Sequence, residues 1–158
     1  ASQYGLRVVS ARLAQTFGAG ILPTENRVFA QFAKSAVKKE NIVLHTTGES
    51  EGNYVYTADA IRAILLLLVK GESMEAYNIV NEDSHVSIRN MAELVAREIA
   101  QNQIQVVIDI PKDSASLGYA PPVKMWLDGA KMRSLGWEPT VGLVEAYRRM
   151  IAYMQFEK

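Results

Sequence analysis

Apolar positions along the chain switch repeatedly between the two-residue period of a strand and the three-to-four-residue period of a helix. Leu6 to Leu13 is rich in β-prone residues, Val8 and Val9 above all, and predicts a strand. Gly18, Gly20 and Pro23 mark the loop that follows. From Arg27 to Lys38, the residues Val28, Phe29, Phe32, Ala33, Ala36 and Val37 recur at helical spacing. Lys34, Lys38 and Lys39 gather near the exposed C-terminal end of that helix, where cations suit its dipole. Asn41 to His45 predicts a short strand, Thr46 to Gly52 a polar loop, and Tyr54 to Tyr56 another short strand.

Thr57 is a candidate N-cap, with Asp59 in the first turn of a helix reaching about Lys70 and stopped by Gly71. That helix is apolar nearly all round, which predicts burial between layers. Ala76 to Val80 reads as a strand. Ser87 caps a helix reaching Ala100, whose Met91, Ala92, Val95, Ala96 and Ile99 share a face. Gln105 to Ile110 predicts a strand, followed by a loop from Asp113 to Pro122 and an extended stretch from Val123 to Leu127. A brief helix over Gly129 to Ser134 precedes the last one, Val141 to Met154, with Val144, Tyr147, Ile151 and Met154 inward. Strands separated by helices indicate an α/β protein of one domain, with few strands for a complete doubly wound sheet.

Composition narrows the classes. Hydrophobic residues at 49% and charged residues at 22% describe a chain that folds. Seventeen basic and seventeen acidic residues leave no net charge and no basic stripe, so nucleic acid is not an expected partner. The chain has no cysteine, which excludes disulfides and thiolate chemistry. The apolar run from Ala63 to Val69 is too short for a bilayer, and the first residues show no signal pattern. A cytoplasmic protein with no membrane partner is the expectation.

Catalytic motifs are missing. Gly18 and Gly20 form a lone Gly-x-Gly with Pro23 beyond it, not a dinucleotide fingerprint. No Tyr is followed four residues later by Lys, and no Gly-x-Ser-x-Gly occurs. His45 and His85 lie on separate elements without acidic residues at ligand spacing, so no metal is expected. No residue is assigned as catalytic.

The phrases RVVSARLAQTFGAG (Arg7 to Gly20), NYVYTADAIRAILLLL (Asn53 to Leu68), AYNIVN (Ala76 to Asn81) and LGWEP (Leu135 to Pro139) occur in a meaningful order. Together they resemble the C-terminal half of the NAD-dependent epimerase/dehydratase family, the extended short-chain dehydrogenase/reductases acting on nucleotide sugars. NRVFAQF, from Asn26 to Phe32, is similar to a phrase of UDP-glucuronate decarboxylases, and dTDP-glucose 4,6-dehydratases are also near. The resemblance implies a small mixed α/β substrate lobe, together with strands near Val9 and Ile79 that join the Rossmann sheet of an absent NAD-binding part. It implies a parent enzyme that oxidises a nucleotide sugar at C4 by hydride transfer to NAD, then epimerises, dehydrates or decarboxylates it. A first residue Ala1 in place of Met leans toward such a fragment.

By the same resemblance, Leu13 and Ala14 lie beneath the nicotinamide. Gln15, standing where the family has Asn, and the adjacent Thr16 reach the sugar diphosphate; a plain polar strand end is the alternative for Gln15. Arg27 and Val28 meet the nucleotide at a helix start, or Arg27 is simply solvated. His45 stacks on the base or is a strand-end histidine. Tyr119 faces the sugar, and Lys124 meets a phosphate or is an ordinary surface lysine. Asp59 reads as structural. Gly52 replaces the family's diphosphate-gripping Arg. The isolated chain is expected to be inactive, to bind no NAD tightly, and to associate with itself or leave its first strand poorly ordered. The rival reading is a stand-alone nucleotide- or protein-binding module.

Overall fold

Short runs of β-branched and aromatic residues form seven strands in the computed structural model, which describes residues 2–112 and 121–156. In chain order the elements are β1 (Ser10–Leu13), β2 (Gln15–Phe17), α1 (Val28–Lys38), β3 (Ile42–Leu44) and β4 (Glu51–Tyr56). Then come α2 (Thr57–Lys70), β5 (Ala76–Ile79), β6 (Asn81–Ser87), α3 (Ile88–Leu94) and β7 (Val106–Ile108). A short α4 (Ala130–Arg133) and the long α5 (Leu143–Phe156) complete the fold.

The strands make three small sheets. β1 and β5 pair in parallel, Ser10 opposite Ala76 and Leu13 opposite Ile79. β4 is central in the second sheet, parallel to β2 and antiparallel to β6, with an irregularity between Gly52 and Tyr54. β3 and β7 form a third, parallel pair. The expected strand from Leu6 to Leu13 is therefore shorter at its start, and a separate strand follows it. At Ala14 the chain leaves one sheet for the next, its N–H donating to the Ile79 carbonyl at 3.0 Å.

Two cores lie on opposite faces of β4, because side chains alternate along a strand. Tyr54 and Tyr56 join Phe17, Phe29, Phe32, Met91 and Tyr147 in one. Val55 joins Ala14, Ala63, Leu67, Tyr77 and Trp137 in the other. The α2 helix buries Ala60, Ala63 and Leu67 but leaves Ile61, Leu65, Leu68 and Val69 exposed, so the expected burial between layers holds on one face only. All four β1 residues are exposed, and among the described residues β1 has a strand neighbour on one edge alone.

Other corrections are local. The Thr46–Gly52 loop gives way to β4 at Glu51. Thr57 lies inside α2, with Tyr56 at the N-cap. Ser87 caps α3 as expected, its hydroxyl accepting from Asn90 N at 3.1 Å, but the helix widens into a π turn at Val95–Ile99. β6 occupies residues to which the sequence assigns no element, since Asn81-Glu82-Asp83-Ser84 carries no strand signal. The N-terminal segment is tied down by Arg7, whose guanidinium donates to the carbonyls of Leu68 (3.0 Å) and Gly71 (2.5 Å) at the end of α2.

Candidate functional site

β2 and β4 run parallel, so Phe17 and Tyr56 end side by side where α1 and α2 begin. Carboxyl ends of parallel strands and N-terminal ends of helices are the parts of α/β folds that receive anionic ligands. A groove of about 260 Å³ opens there, lined by Thr16, Gly18, Gly20, Arg27, Phe29 and Thr57 among others. Gly18 is needed for closeness: a Cβ on it would stand 2.6 Å from Tyr56 Cε2 and 3.1 Å from Thr57 Oγ1. The Thr16 hydroxyl donates to the Ala14 carbonyl at 3.0 Å.

Arg27 is the N-cap of α1 and makes no side-chain cap. Glu25 folds back onto it, accepting from Arg27 N at 2.9 Å and from the guanidinium at 2.6 Å. The guanidinium also lies 4.8 Å from the Phe29 ring centre. The hydrogen bonds from Arg27 hold the Glu25 carboxyl down at about 2, so the pair is ionised at neutral pH. Both groups reach solvent, and the pair orients the arginine more than it stabilises the fold.

Next to this groove, a cleft of about 600 Å³ lies between the start of α1, the end of β3 and Pro121-Pro122. Val28, Phe32, Ile88 and Ile110 give it apolar walls, while Gln31, His45, Thr46 and Ser50 give it polar groups. His45 stands one residue beyond β3, its Nδ1 3.0 Å from the Asp109 carbonyl. A carbonyl only accepts, so in this contact Nδ1 is the donor. A third depression, about 260 Å³, shares Thr47 and Glu49 with the cleft and adds Glu51, Ser87, Arg89 and Lys124. There the Lys124 ammonium is 3.8 Å from the Glu51 carboxylate.

The structure thus brings Thr16 and Arg27 together in the groove, and Val28 and His45 together in the cleft, the consecutive Arg27 and Val28 joining the two. Lys124 sits apart, in the third depression. Gln15 is exposed on β2 opposite Tyr54 and lines none of the three. Leu13 is exposed and Ala14 buried at the break between sheets. Tyr119 lies outside the described residues. Around Gly52 there is open space, with nothing within 4 Å of a Cβ built there.

Sequence reasoning missed Glu25, whose only signal is its place two residues before Arg27, and the rim residues Gln31 and Thr46. Among the described residues no group of His, Cys, Asp or Glu is arranged to hold a metal, and no helix is long and apolar enough to cross a membrane.

Residues 1–81 match the family model described as "NAD dependent epimerase/dehydratase family". UDP-D-apiose/UDP-D-xylose synthase 2 of Arabidopsis thaliana is 28% identical over 136 residues, 80% of this chain and 35% of the relative. dTDP-D-glucose 4,6-dehydratase of Mus musculus is 26% identical over 154 residues, 96% of this chain and 42% of the relative. The crystal structure of UDP-glucose 4-epimerase with UDP-glucose from Thermotoga maritima superposes with a TM-score of 0.83 at 28% identity, covering 99% of this chain and 48% of that one. The chain therefore spans between about a third and a half of the length of these proteins.

Proposed function

The chain belongs to the NAD dependent epimerase/dehydratase family, and from that premise we propose that it is the substrate-holding, C-terminal portion of an enzyme that transforms a nucleotide sugar. The observation that carries this reading is β1. Parallel strands are ordinarily buried within a larger sheet, yet β1 exposes all four residues and has a bare edge. A sheet completed by further strands on that edge is the arrangement an NAD-binding portion would supply.

The groove and cleft divide the ligand. Arg27, held by Glu25, and the uncapped start of α1 face the phosphates. The cleft, of nucleoside size, takes the base between Val28 and His45. Thr16, on the groove wall, then stands toward the sugar, and Leu13 and Ala14, at the break between sheets, toward the nicotinamide. NAD supplies hydride transfer when bound. We assign this chain the part of holding and orienting the sugar.

Calorimetric titration of the chain with UDP-glucose and dTDP-glucose tests the reading. Binding that Arg27→Ala weakens supports it, and binding indifferent to Arg27 overturns the site. One observation favours a self-sufficient binding module instead: Ser10–Leu13 each find a partner in β5. The oligomeric state of the chain, taken up below, separates the two.

A further inference from the structure

Glu51 faces Ser87 across the antiparallel pair, and His85 lies two residues before Ser87, so Glu51 and His85 share one face of the sheet. Residues 123–127 run alongside β4. Glu51 N donates to Val123 O at 2.8 Å, Met125 N to Glu51 O at 3.2 Å, and Lys124 is bridged to Glu51. Alternation along that stretch puts Trp126 on the same side as Lys124. The Trp126 ring meets His85 at 4.5 Å between centroids with the planes 51° apart, forming an open corner. Trp126 is 62% exposed, so its ring beside His85 is open to a ligand.

We propose that Trp126, His85, Glu51 and Lys124 form a binding platform for a neutral hexopyranose unit of a glycan, distinct from the nucleotide cleft. The C–H face of a pyranose ring packs on indole, and its hydroxyl edge needs an acceptor and a donor close by. Glu51 supplies the first and Lys124 the second. The carboxylate stands 3.8 Å from both Lys124 Nζ and His85 Nε2, too far for direct hydrogen bonds. A single hydroxyl can sit about 2.8 Å from both members of either pair and bridge them.

Charge selects the ligand class. Lys124 and His85 both face Glu51, and Arg89 is engaged by Glu93 at 3.0 Å. Among the described residues the lysine and arginine of this face each stand beside a carboxylate, which suits a neutral polyol better than a phosphate. Glu51 and Lys124 line the third depression, which shares Thr47 and Glu49 with the cleft and no residue with the groove of Thr16 and Arg27. The inference stands independently of the nucleotide-sugar reading.

The test uses the two tryptophans of the chain. Trp137 is buried, its indole N–H donating to the Asp59 carbonyl at 3.1 Å, so a ligand at the surface reports through Trp126. Maltose, cellobiose and lactose are titrated separately, with UDP as the anionic control. At least one disaccharide should shift the emission with a Kd on the order of 1 mM. Saturation-transfer NMR should show that binding lost in Trp126→Ala and weakened about tenfold in Lys124→Ala, with the Trp137 near-ultraviolet signal retained. The proposal is overturned if no disaccharide acts at about ten times that concentration, if UDP shifts Trp126 as strongly, or if Trp126→Ala binds like the unaltered chain.

Discussion

Asp59 and Val141, 82 positions apart, are joined by a hydrogen bond of 3.0 Å from the Val141 backbone N–H to the Asp59 carboxylate. The same carboxylate accepts from Thr140 N at 2.9 Å, from the Thr140 hydroxyl at 2.8 Å and from Arg62 at 2.7 Å, while only 1% exposed. It fastens the segment before α5 onto the first turn of α2. Removing it strands several buried donors at once, so Asp59→Ala should cost roughly 3 kcal/mol or more in stability. Urea unfolding of the two proteins measures this, and a loss under about 1 kcal/mol would show that water replaces the carboxylate.

A pH effect follows from Glu25. Its carboxyl sits at about 2, below the ordinary value of 4.5, because Arg27 hydrogen-bonds the ionised form. The pair's contribution is thus complete above about pH 4.5 and is lost as the pH falls toward 2. Melting temperatures between these limits should fall more steeply for the unaltered chain than for Glu25→Gln. The difference should be small, since both groups are solvated.

For ligand binding, Arg27→Ala should weaken UDP-glucose about tenfold to a hundredfold, the worth of one charge-assisted contact of about 1.5–3 kcal/mol. Calorimetry reads it directly.

The opposite change is available at Gly52. Its backbone is not left-handed and nothing stands within 4 Å of a Cβ there, so Gly52→Arg fits without strain. If the family's arginine belongs at this position, the variant should bind UDP about tenfold more tightly than the unaltered chain. Unchanged affinity would remove Gly52 from the alignment with that arginine.

The bare edge of β1 and the apolar residues Ile61, Leu65, Leu68 and Val69 of α2 should make the isolated chain self-associate. Sedimentation across a range of concentrations should show dimers or larger species, reduced by Leu13→Lys at the exposed edge. A strict monomer would favour the self-sufficient module.

Helices were the legible part of the fold. The spacing of Val28, Phe29, Phe32 and Ala33 sets α1, and Ser87 marks the start of α3, because both signals are local. β6 was hidden because its polar residues are held by pairing with β4, which no local pattern reveals. The break at Ala14 was hidden for a related reason: Gln15 and Thr16 become a strand only through Tyr54 and Val55, far along the chain. Arg27, Val28 and His45 come from the resemblance, and the structure sets them on the walls of the groove and the cleft. Glu25 and the corner of His85 and Trp126 depend on approaches that only the folded chain makes.

The parallel pairing of β1 with β5 also sets a timetable for synthesis. Ser10 leaves the ribosome about 66 positions before Ala76, its partner. At ~5–20 residues per second that interval is roughly 3–13 seconds, during which β1 lacks its β5 partner. Contacts so distant in sequence form late and slowly. Until β5 emerges this pair cannot form, and a chaperone that shields Arg7 to Leu13 over that interval would raise the yield of folded protein.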